Sequence, residues 1–175
     1  AFDRSNDLKP LSVVTGDIIA KNAYEWSKAT ESPLAQAAVR GAEKITVSPL
    51  LGHSGKAVKL PKGASLSYDF YCDKSGDARF TIAAIPCFLN AVKDMRVSVS
   101  IDRGEPVICQ LKEVYNSKDW QFDLWRGQTL KSFYVTLPGG SHNVTIKALD
   151  DNVMIDQWVL DYDVDREYYV FPIAK

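Results

Sequence analysis

The sequence predicts an all-β fold, a jelly-roll-like β-sandwich of about 8 to 10 antiparallel strands with a short helical insertion near residues 33–39. Three observations lead there. From Ala57 onward, short runs alternate apolar and polar residues with period two, as a strand with one buried face requires. Clusters of Gly, Asp, Asn and Pro punctuate those runs at the spacing of a sandwich. The 175 residues, 46% of them hydrophobic, can enclose one sizeable core and are few for two domains.

In chain order, residues 1–15 read as a tail or linker ahead of a single domain over residues 16–175, because strand content begins at GDIIAKNA. In TESPLAQAAVRGAEKI, Ser32 and Pro33 are placed to start a helix that runs through Val39 and ends at Gly41. The strand candidates that follow are KAVKLP, ASLSYDFYC, ARFTIAAIP, RVSVSID, PVICQLK, KSFYVTLP, HNVTIKALD and VMIDQWVLD. Between them DKSGD, DRGEP and LPGGSH each read as a hairpin-type connection. In the last run Met154, Trp158, Leu160 and Tyr162 share one phase and read as core. Asp156 falls in the same phase, so this strand requires a bulge or a hydrogen-bond partner for a buried carboxylate. No internal repeat of roughly 20 to 50 residues is visible.

Composition excludes several function classes. Lys and Arg total 21 against 22 Asp and Glu, so a net charge of -1 gives no general attraction to nucleic acid or anionic lipid. No apolar run approaches the roughly 20 residues of a membrane span, and AFDRSNDLKP lacks the apolar centre of a signal peptide. Cys72, Cys87 and Cys109 are odd in number and lack a C-x-x-C pair, so they read as core thiols, with a disulfide between two of them left open.

The stretch HNVTIKALDDNVMIDQWVLDYDVD holds six aspartates and is the first place to look for chemistry. Glycosidases work with two carboxyls about 5 to 10 Å apart. Asp156 and Asp161 lie five residues apart on one strand, which separates them by about 16 Å at about 3.3 Å per residue and puts them on opposite faces. No catalytic pair is expected, and the chain reads as no enzyme by itself. Asp150, Asp151 and Asp156 are the best available ligands for a structural Ca²⁺, although the spacing is not that of an EF-hand and Asp at a turn has backbone reasons to be there. His53 and His142 each stand beside glycine turns, where a turn residue with a satisfied hydrogen bond is the plainer reading.

Sugars bind to flat aromatic rings framed by a few hydrogen-bonding groups. VYNSKDWQFDLWRGQ offers Tyr115, Asn116, Trp120, Trp125 and Arg126 in what reads as a polar loop, and is the best carbohydrate-site candidate. Trp120 also reads as packing on the sandwich. Trp26, with Tyr24 and Glu25, is a second candidate at the end of the opening strand. Tyr168, Tyr169 and Phe171 near the C-terminus read as packing against the body or a parent domain.

The ordered set GDIIAKNAYEW, LLGHSGKAVKLP, RVSVSIDRGEP, GGSHNVTIKALDDNVMIDQWVLD and YYVFP resembles the C-terminal β-sandwich domain of glycoside hydrolase family 115 α-glucuronidases over most of residues 16–173. The matching positions are Gly16, Ile18, Ile19 and Ala20, then Gly52, Gly55, Ala57 and Val58. They continue with Val99, Ser100, Ile101, Asp102, Gly104 and Pro106, then Gly140 and His142, and close on Asp150 to Asp161. The resemblance implies a noncatalytic accessory module related to carbohydrate-binding modules, on an extracellular, periplasmic or cell-surface enzyme. Its partners would be a polysaccharide or oligosaccharide, and a catalytic domain of the same parent protein or a second copy. The alternative is a structural or dimerisation domain without glycan affinity. Related modules often open with an acidic strand that holds a structural calcium, whereas Ile19, Ala20 and Lys21 stand here.

Overall fold

A computed structural model describes residues 17–33, 44–87 and 92–168. The predicted tail, the predicted helix beyond Pro33, and Tyr169 and Phe171 lie outside the described residues. Within them the chain forms strands β1 (Ile18–Asn22), β2 (Lys28–Thr30), β3 (Thr46–Pro49), β4 (Lys56–Leu60), β5 (Ser65–Cys72), β6 (Gly76–Ala84), β7 (Arg96–Ile101) and β8 (Val107–Gln110). Helix α1 (Lys118–Arg126) comes next, followed by β9 (Thr129–Leu137), β10 (Gly140–Ala148) and β11 (Val153–Asp161). No helix among the described residues is long and apolar enough to cross a membrane.

The strands form two sheets, all of whose pairings are antiparallel. One runs β3-β4-β11-β6-β9, with β1 also bonded to β11, and the other runs β2-β5-β10-β7-β8. Period-two alternation sorts the side chains as the sequence predicts. In β5, Leu66, Tyr68, Phe70 and Cys72 point inward and are buried, while Ser65, Ser67, Asp69 and Tyr71 face out. Between the sheets, Trp158 of β11 stacks on Phe80 of its own sheet at 5.3 Å and meets Tyr68 and Phe70 of the facing sheet edge-on at 5.6 and 5.5 Å. One indole therefore ties the two layers together, and all three cysteines remain free thiols.

Three expectations need correction. Only DRGEP closes a hairpin, β7 to β8, with Asp102 and Arg103 both at positive φ, 53° and 59°, as a tight two-residue turn demands. DKSGD and LPGGSH instead carry the chain from one sheet to the other, because β5 and β6, and β9 and β10, belong to different layers. Turn composition signals a reversal and does not say which sheet receives the next strand. Second, Met154 is off the core phase. A β-bulge at Asp156 shifts the register between Ile155 and Gln157, so the core side of β11 is Val153 and Ile155 before the bulge and Trp158 and Leu160 after it. Third, the VYNSKDWQFDLWRGQ stretch is no loop, since most of it is α1.

Helix α1 is specified by its ends. Ser117 caps it, its Oγ accepting from Trp120 N at 3.1 Å, and Gly127 ends it in the left-handed region at φ 73°. Asp119 in the first turn and Arg126 in the last complement the helix dipole. Its middle has no apolar stripe facing the body, because its buried residue is Asp123.

Candidate functional site

The aspartates of the closing strand are committed to holding the fold. Asp156, fully buried at the bulge, accepts from His53 N at 2.8 Å, Ser54 N at 3.1 Å, Ser54 Oγ at 2.5 Å and Gln128 Nε2 at 2.7 Å. Four donors on two oxygens offset the cost of burying the carboxylate. The loop that supplies three of them must pass so close that a Cβ on Gly52, at φ +77°, would sit 2.5 Å from Asp156 Cγ. This is why the G-H-S-G segment carries glycine there. Gln128 also donates to Gln157 Oε1 at 3.2 Å, and Gln157 Nε2 to Asn22 Oδ1 at 3.2 Å, so the polar thread runs on to β1.

Asp150 takes Arg96 Nε at 2.9 Å and Nη2 at 3.1 Å, and Asp151 is exposed at the β10–β11 turn. Among the described residues, no group of three His, Cys, Asp or Glu is arranged to hold a metal ion. Asp161, fully buried, accepts from Tyr168 OH at 2.5 Å and Asp163 N at 2.8 Å, and forms an ion pair with Arg166, whose Nε lies 2.8 Å away. The structure therefore does not bring Asp150, Asp151 and Asp156 to one point.

The aromatic candidates separate into two places. Trp125, 84% exposed, stands on α1 beside exposed Phe122 and Leu124, with the Arg126 guanidinium over the Phe122 ring at 5.0 Å. Tyr115, 66% exposed, meets the half-buried Trp120 edge-on at 5.0 Å, and Asn116, at φ 60°, accepts from Gln121 Nε2 at 3.1 Å. Trp26 and Tyr24 are partly buried against the core. Asp123 anchors this ridge beneath, taking Thr129 Oγ1 at 2.8 Å and Arg126 Nη2 at 3.2 Å. Burial pushes its carboxyl pKa up, and those two bonds only partly oppose it.

Sequence reasoning missed the concave surface. Two clefts of about 710 Å³ each lie on the five-stranded sheet and its turns, and share Asp69, Asp102 and Asn143. The first adds Lys21 of β1, Phe70, Tyr71, Ser141 and His142, and the second adds Ser67, Thr145, Lys28 and Arg103 among others. The outward set of β5 and β10 lines the second cleft and part of the first, and there Ser67 Oγ pairs with Thr145 Oγ1 at 2.9 Å and Asn143 Nδ2 donates to Asp69 Oδ1 at 2.9 Å. Tyr71, 63% exposed, offers a ring at the side. The only sequence signal for it was the polar half of the alternation, which any solvated sheet face also shows.

Two antiparallel layers packed face to face define a β-sandwich. Two solved structures below 25% identity share the fold. One is the C-terminal family 6 carbohydrate-binding module of a laminarinase from Zobellia galactanivorans, with TM-score 0.54, 16% identity, and 83% of this chain and 99% of that one covered. The other is a family 35 carbohydrate-binding module from Clostridium thermocellum, with TM-score 0.56, 13% identity, and coverage of 82% and 98%. The chain itself belongs to the glycosyl hydrolase family 115 C-terminal domain family, whose model matches residues 15–173. A family 115 4-O-methyl-α-glucuronidase with specificity for decorated arabinogalactans is similar at TM-score 0.70 and 27% identity over 85% of this chain. The chain spans 18% of that enzyme's length. No curated protein matches it.

Proposed function

We propose that this domain is a noncatalytic appendage of a larger glycan-degrading hydrolase, acting outside the cytoplasm, and that it holds a polysaccharide along the outer face of its five-stranded sheet. The observation that carries the reading is the pair of adjoining clefts that share Asp69, Asp102 and Asn143. Their Ser, Thr and Asn side chains match the hydroxyl-rich edge of a sugar, and Tyr71 provides a ring for its C–H face. Membership of a family found at the end of glycoside hydrolases supports the appendage reading. The test is retention of the domain on affinity gels of arabinogalactan, glucuronoxylan and laminarin. Tyr71→Ala and Asn143→Ala are expected to lower affinity at least about tenfold, the loss of roughly 1.4 kcal/mol. Unchanged mobility on every gel would overturn the glycan reading.

A second reading is favoured by the α1 ridge. Phe122 and Trp125, three residues apart on α1, are exposed on a shared face, with Tyr115 on the preceding segment and Arg126 at the helix end. Such a surface serves either as an aromatic platform for a glycan or as a contact for a catalytic neighbour or second copy. Trp125→Ala with Phe122→Ala separates these uses. Loss of gel retention assigns the ridge to glycan, and loss of association in light scattering assigns it to docking.

A further inference from the structure

The first cleft is lined by a histidine, in contact with the shared Asp102, whose two ring nitrogens both face acceptors. His142 Nδ1 lies 2.5 Å from Asp102 Oδ2, and Nε2 lies 2.6 Å from the Pro138 carbonyl oxygen. A neutral imidazole has one N–H and one lone pair, so it can satisfy only one of these acceptors and would turn a lone pair on the other. The imidazolium has two N–H donors and satisfies both. The ring is buried and stacked on Phe70 at 5.6 Å, so it cannot swing away to relieve the mismatch.

What the ring joins are two turns of opposite origin. Asp102 belongs to the β7–β8 hairpin, which is itself tied to β10 through Asn143 N to Asp102 Oδ1 at 2.9 Å and Asp102 N to Asn143 O at 2.7 Å. Pro138 belongs to the connection from β9 to β10, whose other tie is Gly139 N to Ser75 Oγ at 2.7 Å. The charged groups facing His142 are Asp102 in direct contact, and Asp69 of β5 and Lys21 of β1, which line the same cleft. Loss of the proton leaves the remaining N–H with the carboxylate and releases the Pro138 carbonyl, which is exposed and can turn to water.

We infer that His142 is a positioning residue whose imidazolium clamps the β7–β8 and β9–β10 turns together, so that the shape of the ligand cleft, and its affinity for glycan, depend on pH. The inference rests on the glycan reading of the cleft for its functional part, and stands on the hydrogen-bond geometry for its structural part. Burial pulls the His142 pKa down, but the Asp102 carboxylate and the Pro138 carbonyl outweigh it and the net shift is upward. The clamp therefore stays closed to a higher pH than an ordinary imidazole, of pKa about 6.5, would allow, and opens as pH rises through the raised value.

Two measurements test it. An NMR titration of the intact domain follows the ring nitrogens of His142 and the backbone amides of Gly139 and Ser141. Both nitrogens should be protonated on the acid side of the ring's midpoint, that midpoint should lie above the ordinary imidazole value of about 6.5, and the amides should move with it. Asp102→Asn should lower that midpoint. Retention on arabinogalactan gel is measured across the same pH range for the wild type and for His142→Gln. Wild-type affinity should fall several-fold as the ring deprotonates, and that of His142→Gln should be weaker and pH-independent. A ring midpoint at or below about 6.5, amides that do not follow it, or wild-type retention that is flat across the titration would overturn the clamp. No retention at any pH, with ring and amides titrating together, would leave the clamp supported and remove only the glycan reading.

Discussion

Asp156 illustrates how a residue that looks catalytic becomes structural. Its four donors come from two segments remote in sequence, the 52–55 loop and Gln128, so its removal leaves the buried Gln128 amide unpaired at about 1 to 3 kcal/mol and loses three part-buried bonds besides. Asp156→Ala is expected to destabilise the domain by roughly 3 kcal/mol or more, read as a fall in the urea midpoint with the slope unchanged. Gly52→Ala should act through the same contact, at about 1 to 3 kcal/mol, since it adds a Cβ against the carboxylate at a positive φ. The Asp150 carboxyl behaves differently. Its hydrogen bond to Arg96 holds it below the usual carboxylate range, against burial, with the Arg96 backbone N–H and guanidinium charge adding to the effect. A lowered folded pKa means that the contribution is complete above the unfolded value of about 4 and is lost as pH falls through the folded one. Asp150→Asn should therefore flatten the acid limb of the stability profile, measured as melting temperature against pH from 2 to 6, a range set by the carboxylate scale of about 4.

At the scale of elements, strands were legible and one helix was not. Each apolar run from β4 onward carries period-two alternation, and every one is a strand because both sheets present one face to a shared core. β2, whose three residues are all exposed, and β3, of four residues, offered too little alternation to read. α1 has its boundaries written in Ser117 and Gly127, but its interior has Phe122, Leu124 and Trp125 facing solvent and Asp123 buried, so no helical apolar stripe announces it. The same inversion hid the geometry of the candidate site. Trp120 and Trp125 were recognisable as unusual, but their separation from the concave sheet face depends on which strands pair, which no local pattern encodes. Two outcomes follow for the helix. Ser117→Ala should cost about 1 kcal/mol through the lost cap, whereas Trp125→Ala should change stability by less than about 0.5 kcal/mol because the ring packs on little. Chemical unfolding of the two variants side by side distinguishes a structural helix from a functional ridge.

Among the described residues the main core lies between the two sheets around Trp158, and a small second cluster gathers on Ala83 and Val159. Trp158→Ala should cost about 3 to 5 kcal/mol by leaving Tyr68, Phe70 and Phe80 around a void, and differential scanning calorimetry would show it. Added reductant should leave the melting temperature unchanged, because the three cysteines are unpaired, and Cys109, whose thiol burial pushes up in pKa, should resist alkylation until the domain unfolds. β11, the last strand among the described residues, is the middle of its sheet. Residues 153–155 pair with β4 and residues 157–161 with β1 along one edge, and β6 takes the other. A ribosome making this domain therefore delivers every flanking strand before the one they all require. Until Val153 to Asp161 emerge, β1, β4 and β6 have no common partner, and the nascent chain must be kept from finding a wrong one.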